Sequence, residues 1–213
     1  LTGHALDALL SLAHHVAAMP GAVSALPTMP RGAYALLVAG GLWLMLWRTR
    51  LRLAGLLPIA VGTIWTLATP TPDLLVTGDG QHLAIRSGDG SVALLRPRAG
   101  DYVRGMLNEN AGIDPAKVAG AIDALPGARC NPDVCIVALD RGGRRWQVLA
   151  TRSRELLPIS ALAGACANAD IVVSYLKLLP SCRPRWLKAD RTLLRRTGGL
   201  AINLAPVRID SVA

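Results

Sequence analysis

The sequence predicts a membrane α-helical hairpin followed by an α/β (α+β) domain. Two apolar segments without a charged residue, 33–47 and 53–69, flank a short turn that contains three arginines. After residue 72 the pattern changes to short alternating segments, typical of strands, mixed with segments of helical spacing. The 213 residues therefore divide into an amphipathic interfacial helix with a Pro-rich connector (1–32), the hairpin (33–69) and the domain (73–213).

The first segment predicts an amphipathic helix at residues 1–19. Leu6, Leu9, Leu10 and Val16 recur at helical spacing on one side, and a Pro-Gly pair ends the pattern. A helix of this kind lies in the membrane interface or packs on other spans. Membrane lipid is therefore one predicted partner.

The two arms of the hairpin are near the lower limit for crossing a membrane. A spanning helix needs about 17 to 25 apolar residues, so each arm alone is also compatible with a buried helical hairpin in a soluble fold. Their pairing across a short link, and the position of Trp43, Trp47 and Trp65 near the segment ends, favour the membrane interpretation.

The basic turn predicts the orientation of the hairpin. Arg48, Arg50 and Arg52 crowd the link, and positively charged loops stay on the cytoplasmic side. Both ends of the hairpin then face outward, and the domain from residue 73 onward lies outside the cytoplasm.

Turn signals divide the domain into short elements. Gly88, Asp89 and Gly90 predict one hairpin turn, and Gly142 and Gly143 predict another. The predicted strands are residues 73–77, 82–87, 91–96, 135–140, 144–151, 170–174, 186–188, 200–205 and 207–212, and the predicted helices are residues 102–110, 115–125, 157–167 and 191–196. Strands mixed with helices place the domain in the α/β or α+β class.

Four cysteines, Cys130, Cys135, Cys166 and Cys182, all fall in the part predicted to lie outside the cytoplasm, where disulfides persist. Four cysteines allow three pairings, and local closure favours Cys130 with Cys135 and Cys166 with Cys182. The spacings C-x4-C and C-x15-C do not match a zinc-ribbon pattern. A zinc site and free buried thiols are the alternatives to disulfides.

The domain is basic. Of the 23 basic and 14 acidic residues, four arginines and one aspartate precede residue 73, so the remainder carries a net charge of about +6. This charge favours anionic partners or anionic lipid headgroups, and a solvated basic surface without a ligand is equally consistent with it.

Two groups of basic residues each surround a tryptophan. Basic grooves with aromatic platforms bind single strands through phosphate contacts and base stacking, which predicts single-stranded DNA as a partner. The alternative is that both tryptophans lie in the core and the arginines are only solvated. The candidate DNA-binding residues are Arg144, Arg145, Trp146, Arg183, Arg185, Trp186, Arg191 and Arg195, with Arg141, Arg152, Arg154, Lys188 and Arg196 beside them.

Five short motifs together carry a family resemblance. They are AAMPGA at 17–22, TGDGQHLAIRSGDGSVALL at 77–95, DIVVS at 170–174, CRPRWLKAD at 182–190 and RTGGLAINL at 196–204. This set resembles the ComEC competence-channel family. The resemblance implies that the domain is a degenerate metallo-β-lactamase-like fold, and that the chain is the C-terminal part of a multi-pass protein of the bacterial inner (cytoplasmic) membrane.

The same resemblance implies a function and partners. Proteins of this family pass single-stranded DNA into the cell during natural transformation. Other competence proteins are therefore expected partners. The chain begins at Leu1 and lacks the pattern of a signal peptide, which predicts a piece of a longer protein, so the upstream part of the same chain is a further expected partner.

The metal ligands of that fold are missing from the sequence. Active members use an H-x-H-x-D-H cluster and further His and Asp ligands to hold two metals that activate water. From residue 73 onward His82 is the one histidine, Tyr175, Leu176 and Lys177 stand where the family pattern offers histidines, and Arg96 follows the first hairpin where active relatives supply an acidic residue. The ligand count excludes a dinuclear hydrolytic centre.

We therefore predict a non-catalytic domain, with no metal and no cofactor. Two alternatives from other classes remain. One is a membrane-tethered nuclease with an unrecognised site, and the other is a membrane scaffold or interaction domain without DNA contact.

Overall fold

The computed structural model describes residues 2–19, 29–96, 100–112, 120–153 and 158–211. Within these ranges the chain forms six α-helices and two 3₁₀ segments. The α-helices are α1 (Thr2–Ala17), α2 (Arg31–Leu46), α3 (Leu56–Ala68), α4 (Asp101–Ala111), α5 (Ile159–Asn168) and α6 (Arg191–Thr197), and the 3₁₀ segments are Arg50–Gly55 and Ile122–Ala124.

Eleven strands follow α3. They are β1 (Leu74–Thr77), β2 (Leu83–Arg86), β3 (Val92–Leu94), β4 (Gly120–Ala121), β5 (Arg129–Cys130), β6 (Val134–Arg141), β7 (Arg144–Thr151), β8 (Ile171–Val173), β9 (Leu187–Ala189), β10 (Gly199–Leu204) and β11 (Val207–Ser211). One sheet has the order β11-β10-β1-β2-β3-β4, and the second has the order β5-β6-β7-β8-β9. Both sheets are mixed, because β3 and β4 pair in parallel in the first sheet while β7, β8 and β9 pair in parallel in the second.

The two sheets enclose the main core. Buried side chains such as Leu74 and Ile85 from the first sheet pack with Val137 and Val148 from the second. On the outer face of the first sheet α4 inserts the buried Leu107, and on the outer face of the second sheet α5 contributes Leu162 and Cys166. The domain is therefore an α/β fold of four layers, with one helix on each side of two packed sheets.

The hairpin forms as two packed helices whose lengths differ. The 3₁₀ segment runs directly into α3, and Arg50–Ala68 is the one helical stretch in the described ranges that is long and apolar enough to cross a membrane. α2 has 16 residues. At 1.5 Å per residue it is about 24 Å long, less than the roughly 30 Å of a hydrocarbon core. The sequence predicted both helices, but α2 is shorter than the hydrocarbon core that it was predicted to cross.

A glycine lets the two hairpin helices approach each other closely. A Cβ atom on Gly40 would lie 2.6 Å from Ile59 Cγ1 and 2.7 Å from the carbonyl oxygen of Gly55. Small residues at a helix crossing bring the two backbones together and replace hydrophobic burial by van der Waals packing. A larger residue at Gly40 would separate α2 from α3.

The predicted amphipathic helix is present as α1. All side chains from Gly3 to Ala17 are exposed, including the apolar Leu6, Leu9, Leu10 and Val16 that defined its apolar side. The helix therefore presents its apolar side to the surroundings and not to the core of the domain.

One predicted helix is wrong in its C-terminal half. Residues 113–119 lie outside the described ranges, whereas residues 120–125 form β4 and a 3₁₀ turn instead of a helix. β4 extends the first sheet beside β3, and the side chain of Ile122 is fully buried in the core. Burial against a sheet edge overrides the helical spacing of this segment.

The other predicted elements are observed with small shifts at their ends. The strands predicted at 73–77, 82–87 and 91–96 are β1, β2 and β3, and the two glycine turns join antiparallel partners as expected. The helix predicted at 157–167 begins at Ile159, and residue 157 lies outside the described ranges.

Both pairs of cysteines form disulfides, Cys130–Cys135 and Cys166–Cys182, and these are the pairs that local closure favours. The first joins neighbouring residues of β5 and β6. The second joins α5 to the loop that precedes β9, with its two Cα atoms 5.2 Å apart. Both sulfurs of the second bridge are buried.

Candidate nucleic-acid interface

Because β7, β8 and β9 are parallel, their first residues lie together and their last residues lie together. We call the end of the sheet with the first residues of these strands the amino edge, and the end with their last residues the carboxyl edge. In sheets with parallel strands, ligands bind most often outside the carboxyl ends. The predicted DNA-binding residues are divided between these two edges.

A buried carboxylate organises the amino edge. Asp170 precedes β8 and has only 2% of its surface exposed. Its Oδ2 accepts a hydrogen bond from the backbone N–H of Gln147 at 2.8 Å, and its Oδ1 lies 3.1 Å from a guanidinium nitrogen of Arg144. Arg144 is thus held by an ion pair across the strands, and its charge is partly neutralised there.

The two tryptophans predicted as stacking platforms are packed at this same edge. Trp146 is 2% exposed and lies in the main core, and its ring is 5.1 Å from that of Trp186 in an edge-to-face arrangement. The Arg144 guanidinium covers the Trp146 ring at 4.1 Å from the ring centre. Trp186 is half-buried against the core. Since a base needs an open ring face, Trp146 cannot act as a stacking platform.

Arg183 and Arg185 are exposed at the amino edge. The backbone N–H of Arg185 donates to the carbonyl of Ala169, just before β8, and Arg183 Nε donates to the carbonyl of Pro180 at 3.3 Å. Arg145, next to Arg144 at the start of β7, is exposed as well. These three arginines are separated from the carboxyl edge by the length of β9.

Three other basic residues of the groups around the two tryptophans form ion pairs or hydrogen bonds with groups of the domain itself. Arg141 pairs with Asp73 at 2.9 Å, Arg152 pairs with Asp123 at 2.9 Å, and Lys188 donates to the carbonyl of Leu179 at 3.0 Å. Arg154 lies outside the described ranges. The charges of these three residues are therefore engaged in holding elements of the fold together.

At the carboxyl edge, α6 presents Arg191 and Arg195. The helix begins after Asp190, whose carboxylate accepts hydrogen bonds from the backbone N–H groups of Thr192 and Leu193. Residues separated by four positions lie on one face of a helix, so the two arginines project from the same side. The fully buried Leu194 anchors the helix on the core.

These arginines line a cleft of about 560 Å³, which we call the carboxyl-edge cleft. Its opposite wall is the turn between β1 and β2, with Asp79 and Gln81, and Tyr175 of the loop after β8 completes it. The Asp79 carboxylate accepts hydrogen bonds from the Thr77 hydroxyl and from the backbone N–H of Gln81. The cleft therefore combines two guanidinium groups with one carboxylate and one amide.

The turn that forms this wall is fixed in place by a glycine. Gly80 has a φ of +69°, and a Cβ atom there would lie 2.8 Å from both Tyr175 Cα and Leu194 Cδ1. Any larger residue would clash with the loop after β8 and with α6, in addition to the strain of the left-handed conformation. The three walls of the cleft are thus packed against one another.

Tyr175 and Arg96 are packed together beside this cleft. The Arg96 guanidinium lies 5.2 Å from the centre of the Tyr175 ring, and Tyr175 Oη donates to the carbonyl of Ser153 at 2.6 Å. An Arg96 nitrogen also donates to the carbonyl of Arg152 at 2.8 Å. The cation of Arg96 and the ring of Tyr175 therefore stabilise each other.

His82 lies at the end of the same turn. Burial lowers the pKa of this imidazole, the carboxylate of Asp79 raises it, and the charge of Arg96 lowers it, with burial the largest of the three influences. The net shift is downward, so His82 is predominantly neutral at pH 7.

One group of three potential metal ligands occurs in the part of the chain that the structure describes, namely Asp123, Cys130 and Cys135. Because the two sulfurs are joined in a disulfide, neither is a thiolate that could bind a metal. The group thus offers one available ligand, the exposed carboxylate of Asp123.

The sequence named Arg191 and Arg195 but missed the residues that surround them. Asp79 and Gln81 follow a strand and read as turn formers, and Tyr175 follows the buried segment 170–174. Their only shared signal is that each lies in a connection that follows a predicted strand.

Compared with known proteins, the chain matched no family model, no curated protein and no solved structure.

Proposed function

We propose that this chain is part of a ComEC-type DNA-uptake channel of the bacterial inner membrane, and that its domain is a non-catalytic, extracytoplasmic module that binds single-stranded DNA. One observation carries the DNA-binding part of the proposal. Within the two basic groups around the tryptophans, six exposed arginines have no carboxylate within ion-pair distance among the described residues, namely Arg145, Arg183, Arg185, Arg191, Arg195 and Arg196. Unpaired guanidinium groups on a surface attract phosphates.

The surface of the hairpin supports a membrane location. Leu46, Leu57 and Leu67 each expose 70% or more of their surface, which is a poor arrangement for helices surrounded by water. Aromatic rings mark both ends of the hairpin, with Trp43 stacked on Trp47 near the arginine turn and Trp65 at the end of α3. Tryptophan favours the headgroup region on both sides of a bilayer.

The disulfides support a location outside the cytoplasm for the domain. The bridge between Cys166 and Cys182 is buried in a core cluster, as expected for a structural disulfide in an oxidising compartment. With the arginine turn in the cytoplasm, the hairpin delivers the domain to that compartment.

The degenerate metallo-β-lactamase-like fold belongs to the same proposal. The four-layer arrangement and the motifs at 77–95 and 170–174 support it. The contact between Tyr175 and Arg96, where the resemblance leads one to expect metal ligands, supports a domain that binds without hydrolysing.

The arrangement of the arginines favours phosphate contacts over base stacking. Trp146 is buried and Trp186 is half-buried against it, whereas the exposed arginines lie at both ends of the parallel strands. Contacts to phosphate carry no base information, so the domain binds strands of every sequence with similar affinity.

Binding of single-stranded DNA by the full chain in nanodiscs of phosphatidylcholine tests the function. We expect affinity that falls steeply with salt, with log K decreasing by about 0.7 per phosphate contact for each unit of log salt, and no preference among sequences. Absence of binding at low salt would leave the scaffold alternative. Cleavage of the strand in Mg²⁺ or Mn²⁺ would favour the nuclease alternative.

Labelling with a reagent that cannot cross membranes tests the orientation. A cysteine introduced at Asp89 should react from the outside, whereas one at Thr49 should not. The native cysteines are all paired in disulfides, so they should give no background labelling. The opposite pattern would reverse the topology and remove the argument from the disulfides.

A further inference from the structure

We propose that the carboxyl-edge cleft is the place where the strand is held, with Arg191 and Arg195 binding one backbone phosphate between them. This inference rests on the proposed function, but it adds a site that the arginine count alone does not locate. The cleft lies between α6, the turn between β1 and β2, and the loop after β8.

The first argument is the position of the two guanidinium groups. Arg191 and Arg195 lie one helical turn apart on the same face of α6 and border the same concave space. Two guanidinium groups that converge on one space can each donate hydrogen bonds to a single phosphate. Neither has a carboxylate partner within ion-pair distance among the residues that the structure describes.

The second argument is that the cleft is rigid. Asp190 caps α6, Leu194 fixes it on the core, and Gly80 packs the opposite wall against Tyr175 and Leu194. Arginines on a fixed helix lose less conformational freedom on binding than arginines on a loop. The site is therefore formed before the ligand arrives.

The third argument concerns the rest of the lining. Gln81 supplies an amide and Asp79 supplies a carboxylate opposite the arginines. An amide donates hydrogen bonds to phosphate oxygens as guanidinium groups do, so Gln81 adds a further donor for the same phosphate. Asp79 also limits the cleft to one phosphate, because a second would lie beside a like charge.

The amino edge provides a matched control. Arg183 and Arg185 are two exposed arginines of the loop that precedes β9, without a carboxylate partner in the described ranges. β9 lies between this loop and Arg191, so the two pairs of arginines stand at opposite ends of that strand. A general electrostatic effect would treat both pairs alike, whereas a site in the cleft would not.

The experiment compares two double variants of the full chain in phosphatidylcholine nanodiscs. Fluorescence anisotropy with a labelled oligothymidylate measures binding, and the melting temperature monitors the fold. We expect Arg191→Ala with Arg195→Ala to weaken binding by about tenfold per arginine removed, while Arg183→Ala with Arg185→Ala weakens it much less. Both variants should keep the wild-type melting temperature.

Two substitutions test the chemistry within the cleft. Asp79→Asn keeps an acceptor for the turn but removes the negative charge, so it should tighten binding. Arg191→Lys with Arg195→Lys keeps both charges but loses the bidentate geometry, so binding should lie between wild type and the alanine variant.

Each contrary result has its own meaning. Equal losses in the two alanine variants would overturn the site and leave the proposed function intact. A wild-type protein that does not bind the oligothymidylate would overturn the proposed function itself. Loss of binding to phosphatidylglycerol vesicles in the cleft variant, with DNA binding unchanged, would assign the cleft to a lipid headgroup and also overturn the proposal.

Discussion

The amino and carboxyl edges of β7, β8 and β9 both carry arginines, but the two edges use them differently. At the amino edge, Arg144 lies between a buried carboxylate and a tryptophan ring, 3.1 Å from Asp170 and 4.1 Å from the centre of Trp146. At the carboxyl edge, Arg191 and Arg195 face a cleft. The first arrangement satisfies an arginine within the fold, and the second leaves two available to a ligand.

This difference shows why a basic cluster in a sequence does not by itself identify a binding surface. A guanidinium group contributes to binding only where its partner within the protein is absent or weak. The amino edge also contains the Cys166–Cys182 bridge and the two packed tryptophans. Changes to the packed residues of the amino edge should therefore reduce stability, whereas changes to the cleft arginines of the carboxyl edge should reduce binding.

The largest expected effect is that of Trp146→Ala at the amino edge. The side chain is 2% exposed in the main core, and removing a buried aromatic ring typically costs about 3–5 kcal/mol of unfolding free energy. Thermal unfolding of the full chain in detergent measures the loss. Arg145→Ala, one residue earlier and exposed, is the control and should change stability by less than about 0.5 kcal/mol. A Trp146→Ala variant that melts like wild type would contradict the structural role of the amino edge.

The second-largest expected loss of stability is that from removing the Cys166–Cys182 bridge. The bridge spans 16 positions of the sequence. Closing a loop of this size stabilises a fold by about 3 kcal/mol in the chain-entropy model, so replacing both cysteines by serine should lower the melting temperature.

The first bridge provides the comparison for the second. Cys130 and Cys135 are five positions apart, and loop closure of that size is worth about 2 kcal/mol in the same model. Their replacement should therefore cost less. Mass mapping without reduction that finds all four thiols free would contradict both expectations.

A smaller loss is expected for Asp170→Asn. The carboxylate accepts from the Gln147 N–H and pairs with Arg144, whose side chain is 57% exposed. Because solvent screens the exposed partner, we expect a cost of about 1–3 kcal/mol, the range of a hydrogen bond to a charged group. Arg144→Gln should cost at least as much as Asp170→Asn, because it leaves the buried carboxylate charged and without its ion-pair partner. Equal stability of Asp170→Asn and wild type would show that the ion pair does not hold this edge.

The turns and strands of the domain could be predicted because their signals are local. Glycines at the hairpin turns and the alternating segments identified β1, β2, β3, β6 and β7, and Asp190 lies where a helix cap is needed for α6. By contrast β4 and β5 have two residues each, and they are strands only because β3 and β6 lie beside them. Such short elements are defined by their partners and leave no period in the sequence.

The site could be predicted only in part, for a related reason. Arg183, Arg185 and Arg191 are close in sequence, but β9 places the first two at one edge and the third at the other. Arg144 pairs with Asp170, which lies 26 positions later in the sequence, just before β8. Residue types and net charge indicated an anionic ligand, whereas the choice of arginines depends on contacts between distant parts of the chain.

The smallest effect concerns His82, the titratable group of the carboxyl edge that changes charge nearest to neutral pH. Burial lowers its pKa below the usual value near 6.5, Asp79 raises it, and Arg96 lowers it. The unfolded chain therefore takes up a proton at a higher pH than the folded chain does. As pH falls through 6.5, protonation favours the unfolded state, so stability should decrease until the folded pKa is reached and then level off.

Melting temperatures of the full chain measured between about pH 5 and pH 7 test this expectation. His82→Gln is the control, because it lacks His82 but keeps the histidines of α1. The control should show a weaker dependence on pH in this window than wild type. Asp79→Asn removes the carboxylate that raises the pKa, so the decrease should extend to lower pH than in wild type. A wild-type domain that becomes more stable as the pH falls from 7 would mean that Asp79 outweighs burial at this turn. The carboxyl edge would then carry a further positive charge beside the cleft at mildly acidic pH.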